Sequence, residues 1–158
     1  MKTIEQAIHA AADCLAEVGM ENARMESEFL VAAYLQKPRA HVLLNRSDPL
    51  GSEHVRPLQK WLRERERRKP LAYITGEQPF REWRLQVNPS VLIPRPETEL
   101  LVEQALRTMD QMPRELTVVD VGTGSGAIAL SLAGHPQVSR VIGIDCSLAA
   151  LKVARANE

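Results

Sequence analysis

The sequence predicts an α/β fold in three successive parts: a small N-terminal helical bundle, a β-hairpin linker, and the start of a Rossmann-like domain with a truncated sheet. Three patterns support this prediction. Residues 4–69 carry apolar side chains at helical spacing, residues 83–93 alternate between apolar and polar side chains, and residues 116–126 run from an apolar strand pattern into a glycine-rich turn. A helical pattern follows that turn, and this order is typical of a nucleoside-binding β-α-β unit.

The first part, residues 1–80, is predicted to be a bundle of helices. Its helical stretches are residues 4–18, a second helix that Asn22 can cap, and a last helix that ends before Pro70. The charge run 63–69 mixes arginine and lysine with glutamate. Such a mixture favours a solvated helix face, and the alternative is a docking surface for an acidic or RNA-associated partner.

The second part, residues 81–94, is predicted to be a hairpin that links the helices to the last part. Trp83, Leu85 and Val87 alternate with polar residues, which is typical of a half-exposed strand. Residues 91–93 follow a turn and are interpreted as the partner strand.

The third part, residues 95–158, begins with a proline-rich helix start. Pro96 suits the first position of a helix, and the glutamates at positions 97 and 99 complement the positive end of the helix dipole. Residues 94–99 are therefore either only a rigid helix start or also a stiff wall beside a bound ligand. The residues by themselves leave both interpretations open.

Residues 116–121 are predicted to be a buried parallel strand that leads into a turn with glycine at alternate positions. Such a turn needs positive φ at some positions, and a ligand can approach a backbone without Cβ atoms closely. A second strand pattern, residues 140–145, ends in Asp145, about twenty positions beyond the first glycines. That spacing is typical of an acidic side chain that accepts hydrogen bonds from ribose hydroxyls, so the sequence predicts a ribose-bearing cofactor.

Two classes of cofactor fit this pattern. The glycines and Ala127 also match the G-x-G-x-x-G/A spacing of dinucleotide-binding proteins, which favours NAD. Asp120 disfavours NAD, because a carboxylate two residues before the first glycine would face a pyrophosphate of the same charge. S-adenosylmethionine carries an ammonium and a sulfonium and no phosphate, so it suits Asp120 better. The structural alternatives are that Asp120 is a solvated or capping carboxylate and that Asp145 is a helix N-cap, although Ser147 is also a competent cap.

Composition narrows the function further. The chain has 158 residues, of which 44% are hydrophobic and 25% charged, a soluble composition that can bury a core. Basic and acidic residues number 20 each, so the net charge is zero and non-specific nucleic-acid binding is not indicated. Cys14 and Cys146 lie in different segments without metal-ligand spacing. This favours reduced thiols, a cytoplasmic protein and no metal site.

These motifs resemble those of the HemK/PrmC-type protein-glutamine methyltransferases. The resemblance rests on residues 70–76, 92–99 and 120–130 and extends over nearly the whole chain. The Pro-Arg-Pro-Glu stretch at 94–97, at that distance before the glycine turn, is its specific part. The glycine turn by itself would fit any class I methyltransferase.

The resemblance implies an enzyme that uses S-adenosyl-L-methionine to methylate the side-chain amide nitrogen of the glutamine in the Gly-Gly-Gln motif of class-1 peptide chain release factors. It also implies that the helical part helps to dock the release factor, that Asp145 binds the ribose hydroxyls, and that residues 94–99 border the cofactor. The cofactor-binding residues that it implies are Gly122, Thr123, Gly124, Ser125, Gly126 and Asp145.

The sequence departs from this family in one respect. Members carry an Asn-Pro-Pro-Tyr loop after the fourth strand, which orients the amide nitrogen for methyl transfer, and these 158 residues contain no such sequence. We therefore predict an N-terminal part of a longer enzyme, without catalytic residues and inactive alone. The alternatives are a methyltransferase for nucleic-acid amino groups, an NAD-dependent oxidoreductase, and a non-catalytic interaction module.

Overall fold

The computed structural model describes residues 2–158, which form two compact units. The first unit extends to Thr75, and the second runs from Gly76 to Glu158. The boundary between the units lies before residue 80, the predicted end of the helical part. The reason is that residues 77–80 pair with the strand that follows them and so belong to the second unit. Met1, the first residue of the predicted helical part, lies outside the described residues.

The first unit is a helical bundle, as the periodicity predicts. Within the described residues its helices are α1 (Ile4–Glu17), α2 (Ala23–Tyr34), α3 (Arg39–Leu44), α4 (Ser52–Glu66) and α5 (Leu71–Thr75). Two short strands, β1 (Lys2–Thr3) and β2 (Pro49–Leu50), pair antiparallel. The sequence did not predict this pair, because strands of two residues are too short to show alternation.

The apolar faces of these helices meet in the core of the first unit. The buried residues of this core are Ile4, Ile8, Leu30, Val31, Ala32, Val42, Leu50 and Leu58. At its border Tyr34 packs edge to face against Trp61, with ring centroids 5.5 Å apart. This geometry is favourable for aromatic pairs and fixes α4 against α2.

The charge run 63–69 is more than a solvated helix face. The guanidinium of Arg65 donates to both carboxylate oxygens of Glu26, at 2.6 and 2.9 Å, and so ties α4 to α2. Arg68 donates to the carbonyl oxygen of Val18, just beyond the end of α1, at 2.5 Å. The interpretation as a solvated face is wrong for Arg65, whose side chain is only 15% exposed, whereas Arg68 is exposed as predicted.

A buried carboxylate joins α2 to α3. Glu28 is 6% exposed and accepts hydrogen bonds from Arg24 Nε at 3.0 Å and from Arg39 Nε and Nη2 at 2.9 and 2.6 Å. Burial by itself would raise the pKa of Glu28. The hydrogen bonds from Arg39 and Arg24 outweigh burial, so the pKa of Glu28 lies below its usual value and the group stays ionised.

Replacing Glu28 with glutamine is expected to lower the free energy of unfolding of the first unit by about 2 kcal/mol, because hydrogen bonds to a charged acceptor become bonds to a neutral one. Since the pKa of Glu28 is lower in the folded chain than the unfolded value of 4.5, its contribution is present above pH 4.5 and is lost as the pH falls through the lowered pKa. Urea unfolding followed by Trp61 fluorescence, in a Trp83→Phe background, measures both effects.

The matched control for this prediction is Glu21→Gln, which removes an exposed carboxylate from the turn between α1 and α2. Its expected effect on stability is within about 0.5 kcal/mol. Equal stability losses in the two variants would contradict the role assigned to Glu28, as would an acid dependence in Glu28→Gln as steep as that of the unchanged chain.

The second unit begins with an antiparallel hairpin and continues with alternating helices and strands. Its elements are β3 (Glu77–Phe80), β4 (Trp83–Gln86), α6 (Pro96–Met109), β5 (Leu116–Val121), α7 (Ala127–Ala133), β6 (Val138–Ile144) and α8 (Leu148–Ala156). Helix α6 begins at Pro96 with glutamates in its first turn, as predicted. The core of the second unit contains the buried residues Phe80, Leu85, Val102, Met109, Ala127 and Leu132.

The predicted hairpin exists, but its strand pairing is different. Strand β4 pairs with β3, which precedes it, and residues 91–93 form no strand. The prediction of residues 81–94 as the hairpin is therefore wrong, and the pairing spans residues 77–86. The tight turn between β3 and β4 places Arg81 at a φ of 50°, a conformation that glycine or asparagine usually supplies, so the sequence carries no turn signal there.

Strands β5 and β6 form a parallel pair with Val121 opposite Ile144. One face of the pair is covered, since Leu116 and Val118 pack against the core of the second unit. On the other face Val119, Val121 and Ile144 are exposed by 50%, 80% and 48%. The prediction of a buried strand is wrong for this second face, because the described residues leave it uncovered, whereas parallel sheets are normally covered on both faces.

Candidate functional site

The glycine loop, residues 122–126, connects β5 to α7 at the carboxyl edge of the parallel pair. Gly122, Gly124 and Gly126 have φ values of 78°, 55° and 82°. A side chain at any of them would strain the backbone by about 1–2 kcal/mol, so the path of the loop depends on glycine. Two N–H groups of the loop donate to the carbonyl oxygen of Ile144, at 2.7 and 2.9 Å, and hold the loop beside the end of β6.

Asp145 follows β6 and reaches the glycine loop directly. Its Oδ2 accepts a hydrogen bond from the N–H of Gly124 at 3.0 Å, and its Oδ1 accepts one from the N–H of Ser147 at 2.9 Å. These N–H groups lower the pKa of Asp145 below its usual value, and that of Ser147 has the larger effect. Ser147 is the N-cap of α8, since its hydroxyl accepts from the N–H of Ala150 at 3.2 Å, so the N-cap interpretation of Asp145 is wrong.

Asp120 lies under the loop on the covered face of β5 and is 8% exposed. Its Oδ2 accepts hydrogen bonds from the hydroxyl of Thr123 at 2.8 Å and from the N–H of Ala129 at 3.2 Å. Ala129 is in the first turn of α7, where a carboxylate interacts favourably with the helix dipole. The capping interpretation of Asp120 is therefore confirmed, and the same carboxylate also anchors the loop.

The open side of the glycine loop is formed by backbone. The side chains of Thr123 and Ser125 lie inside, since these residues are 7% and 3% exposed. An added Cβ at Gly122 would meet no atom within 4 Å, and one at Gly124 would meet only the Gly122 carbonyl oxygen at 3.9 Å. The space beside these two glycines is therefore open to a ligand that contacts the backbone.

The same edge carries acceptor groups that suit a ribose. A carboxylate oxygen can accept more than one hydrogen bond, and Asp145 is half-buried, so it keeps acceptor capacity for a hydroxyl donor beside its bonds to the N–H groups of Gly124 and Ser147. A diphosphate on the loop would lie near the negative charge of Asp120, which is buried directly beneath it, and like charges are unfavourable. The residues present thus fit an uncharged or cationic nucleoside better than a dinucleotide.

The proline-rich segment 94–99 forms the start of α6. Pro94 is buried, Arg95 is exposed, and Glu99 Oε1 accepts a hydrogen bond from the N–H of Arg81 at 3.1 Å. The first turn of α6 therefore contacts the turn of the hairpin. Its role as a wall beside a cofactor remains a prediction.

Asn157 is a residue of the site that no local sequence pattern predicts. Asn157, directly after α8, bonds both to the carbonyl oxygen of Ser125 in the glycine loop and to the backbone of Gln86 in β4. These partners are 32 and 71 positions away, so no local pattern could indicate them.

Two further features bear on the kind of site. In residues 2–158 no group of three or more histidine, cysteine, aspartate or glutamate side chains is arranged to hold a metal ion. In the same residues no helix is both long and apolar enough to cross a membrane.

Known proteins resemble this chain over almost its full length. A release factor glutamine methyltransferase of Vibrio cholerae is 40% identical over 155 residues, which cover 98% of this chain and 54% of that protein. The protein of the same name from Geobacter sulfurreducens is 39% identical with the same coverage, and that from Mycolicibacterium smegmatis is 39% identical over 99% of this chain and 54% of its own length. The chain thus spans about half the length of the curated relatives that it matches.

Every relative named above is by name a release factor glutamine methyltransferase. The predicted resemblance to the HemK/PrmC type is confirmed, since residues 6–76 match the family described as the PrmC N-terminal domain.

Proposed function

We propose that this chain forms the N-terminal part of an S-adenosyl-L-methionine-dependent methyltransferase that modifies the side-chain amide nitrogen of the glutamine in the Gly-Gly-Gln motif of class-1 peptide chain release factors. The names of the relatives support the reaction and the substrate. In this proposal the second unit is the start of a Rossmann-like domain, and the helical first unit helps to dock the release factor.

One observation carries the cofactor assignment: the N–H of Gly124 and the carboxylate of Asp145 meet at the same edge of a parallel strand pair. In the proposal the backbone of residues 122–126 lines the methionine and ribose, and Asp145 accepts from the ribose hydroxyls. The bound cofactor supplies an electrophilic methyl group on a sulfonium. The residues of this chain orient the cofactor, and none of them is proposed to be catalytic.

The experiment is a calorimetric titration of the 158-residue chain with S-adenosylhomocysteine and, separately, with NAD. We expect saturable binding of S-adenosylhomocysteine and none of NAD, because only NAD brings a pyrophosphate close to the carboxylate of Asp120. Binding of NAD alone, or of neither ligand, would contradict the cofactor assignment.

A second measurement tests the substrate. The 158-residue chain is expected to bind the Gly-Gly-Gln domain of a class-1 release factor without methylating it, since no Asn-Pro-Pro-Tyr sequence occurs in these residues. A release factor domain with Gly-Gly-Ala at its tip serves as the control for recognition of the glutamine. Methylation at an ordinary enzymatic rate would contradict the absence of catalytic residues from this chain.

A further inference from the structure

We propose that Asn157 is a positioning residue for the cofactor loop, which it fixes to the edge of the β3–β4 hairpin. The inference rests on the proposed function, because it concerns the same loop. It assigns a role to a residue that lies outside the glycine motif and the ribose-binding carboxylate.

The contacts of Asn157 use its whole side-chain amide. Its Oδ1 accepts a hydrogen bond from the N–H of Gln86 at 2.7 Å, and its Nδ2 donates to the carbonyl oxygen of Gln86 at 3.0 Å. The same Nδ2 donates to the carbonyl oxygen of Ser125 at 2.9 Å. Asparagine has one acceptor and two N–H donors in its amide, so this set of partners engages all of its polar groups.

The bonds to Gln86 resemble the addition of a short strand. Backbone N–H and carbonyl groups that point outward from an edge strand are those that a further strand would bind. The side chain of Asn157 presents an amide to both groups of one residue, so it closes that part of the edge of β4 and takes its own orientation from the hairpin.

The residues that flank helix α8 on both sides thereby hold the glycine loop. Before its first residue Asp145 binds the N–H of Gly124, and after its last residue Asn157 binds the carbonyl oxygen of Ser125. Between these points α8 passes close to Gly126, where an added Cβ would lie 3.5 Å from Ala154. Two adjacent loop residues are thus fixed by side chains, and the backbone that faces the ligand space is ordered before any ligand binds.

Such ordering matters for affinity. A loop that must be ordered on binding reduces the affinity by the entropy of that ordering, whereas a loop already in its bound shape does not. Asn157 is therefore expected to strengthen cofactor binding without contacting the cofactor.

The test compares Asn157→Asp and Asn157→Ala with the unchanged 158-residue chain, purified with no C-terminal tag. Aspartate keeps the shape of asparagine but loses both donors and turns an oxygen toward two carbonyl groups, while alanine removes the group without adding charge. The matched control is Asn88→Asp, because Asn88 accepts from the N–H of Ser90 through its oxygen, which aspartate can also do.

The first readout is hydrogen exchange of individual amides, measured by NMR without cofactor. In both Asn157 variants the N–H groups of Gly124 and Gly126 are expected to exchange roughly tenfold faster, the factor that corresponds to the loss of about one net hydrogen bond. The N–H of Leu106 in α6 is the internal reference and should change little, as should all three amides in Asn88→Asp. Equal acceleration at Leu106 and in the loop would overturn the proposal, because it would mean general destabilisation, and so would an unchanged loop.

The second readout is calorimetric titration with S-adenosylhomocysteine. Both Asn157 variants are expected to bind it about three- to tenfold more weakly than the unchanged chain, and Asn88→Asp as tightly. Unchanged affinity in variants whose loop exchanges faster would overturn the positioning role. If the unchanged chain does not bind S-adenosylhomocysteine at all, the proposed cofactor fails, and the exchange measurement alone decides whether Asn157 fixes the loop.

Discussion

Replacing Asp145 with asparagine is expected to weaken the binding of S-adenosylhomocysteine to the 158-residue chain by roughly 10- to 100-fold. An ionised carboxylate accepts hydrogen bonds from hydroxyl groups more strongly than an amide oxygen does, and the NH2 group that replaces one oxygen cannot accept at all. The N–H of Gly124 and that of Ser147 also lose a charged acceptor. Calorimetric titration at constant ionic strength measures the change.

The pH dependence of the same binding provides an independent check. Since the pKa of Asp145 in the folded chain lies below its ordinary value of 3.8, the carboxylate is charged at every higher pH. The affinity is therefore expected to stay constant from pH 8 down to about 5, and to fall only as the pH drops through the lowered pKa.

The matched control is Asp110→Asn, which changes an exposed carboxylate at the end of α6 that pairs with His135. Its expected affinity is that of the unchanged chain. The assignment of Asp145 to the ribose would be refuted by equal affinities in Asp145→Asn and the control, or by an affinity of the unchanged chain that declines between pH 8 and 6.

The second large effect is expected for Asp120→Ala, which should lower the free energy of unfolding of the second unit by about 2–4 kcal/mol. The substitution removes a buried carboxylate and leaves the N–H of Ala129 and the hydroxyl of Thr123 without their acceptor. Asp120→Asn keeps an oxygen in the same place, so we expect a loss of only about 1 kcal/mol.

Urea unfolding followed by the fluorescence of Trp83, in a Trp61→Phe background, measures the second unit alone. Similar losses for Asp120→Ala and Asp120→Asn would show that charge and not capping geometry governs stability here. A loss below about 0.5 kcal/mol for alanine would show that Asp120 does not anchor α7, because that is the range of ordinary surface substitutions.

The local features of this chain could be predicted from its sequence. The helical bundle, the start of α6 at Pro96 and the passage from β5 through the glycine loop to α7 all depend on spacing within a few residues. The spacing also placed Asp145 at the same edge as the loop, because parallel strands bring their carboxyl ends together, but its hydrogen bond with Gly124 was not predicted.

The rest could not be predicted because it depends on long-range partners or on missing signals. Arg65, Arg68 and Asn157 bond to groups far away in the sequence, and their own neighbours give no indication of those partners. The hairpin was misassigned because Arg81 occupies a turn position that normally requires glycine or asparagine. The open face at Val121 was missed because strand periodicity predicts which side chains share a face but not whether that face is covered.

Two of the side chains that hold the glycine loop, Asp145 and Asn157, come after it in the chain, and Asn157 follows Ser125 by 32 positions. When the polypeptide is made on the ribosome, the loop leaves the exit tunnel before these two residues do. At ordinary elongation rates this interval lasts roughly 2–6 s. By then all residues of the helical first unit have been synthesised, whereas the glycine loop still lacks the hydrogen-bond partners that follow it in the chain.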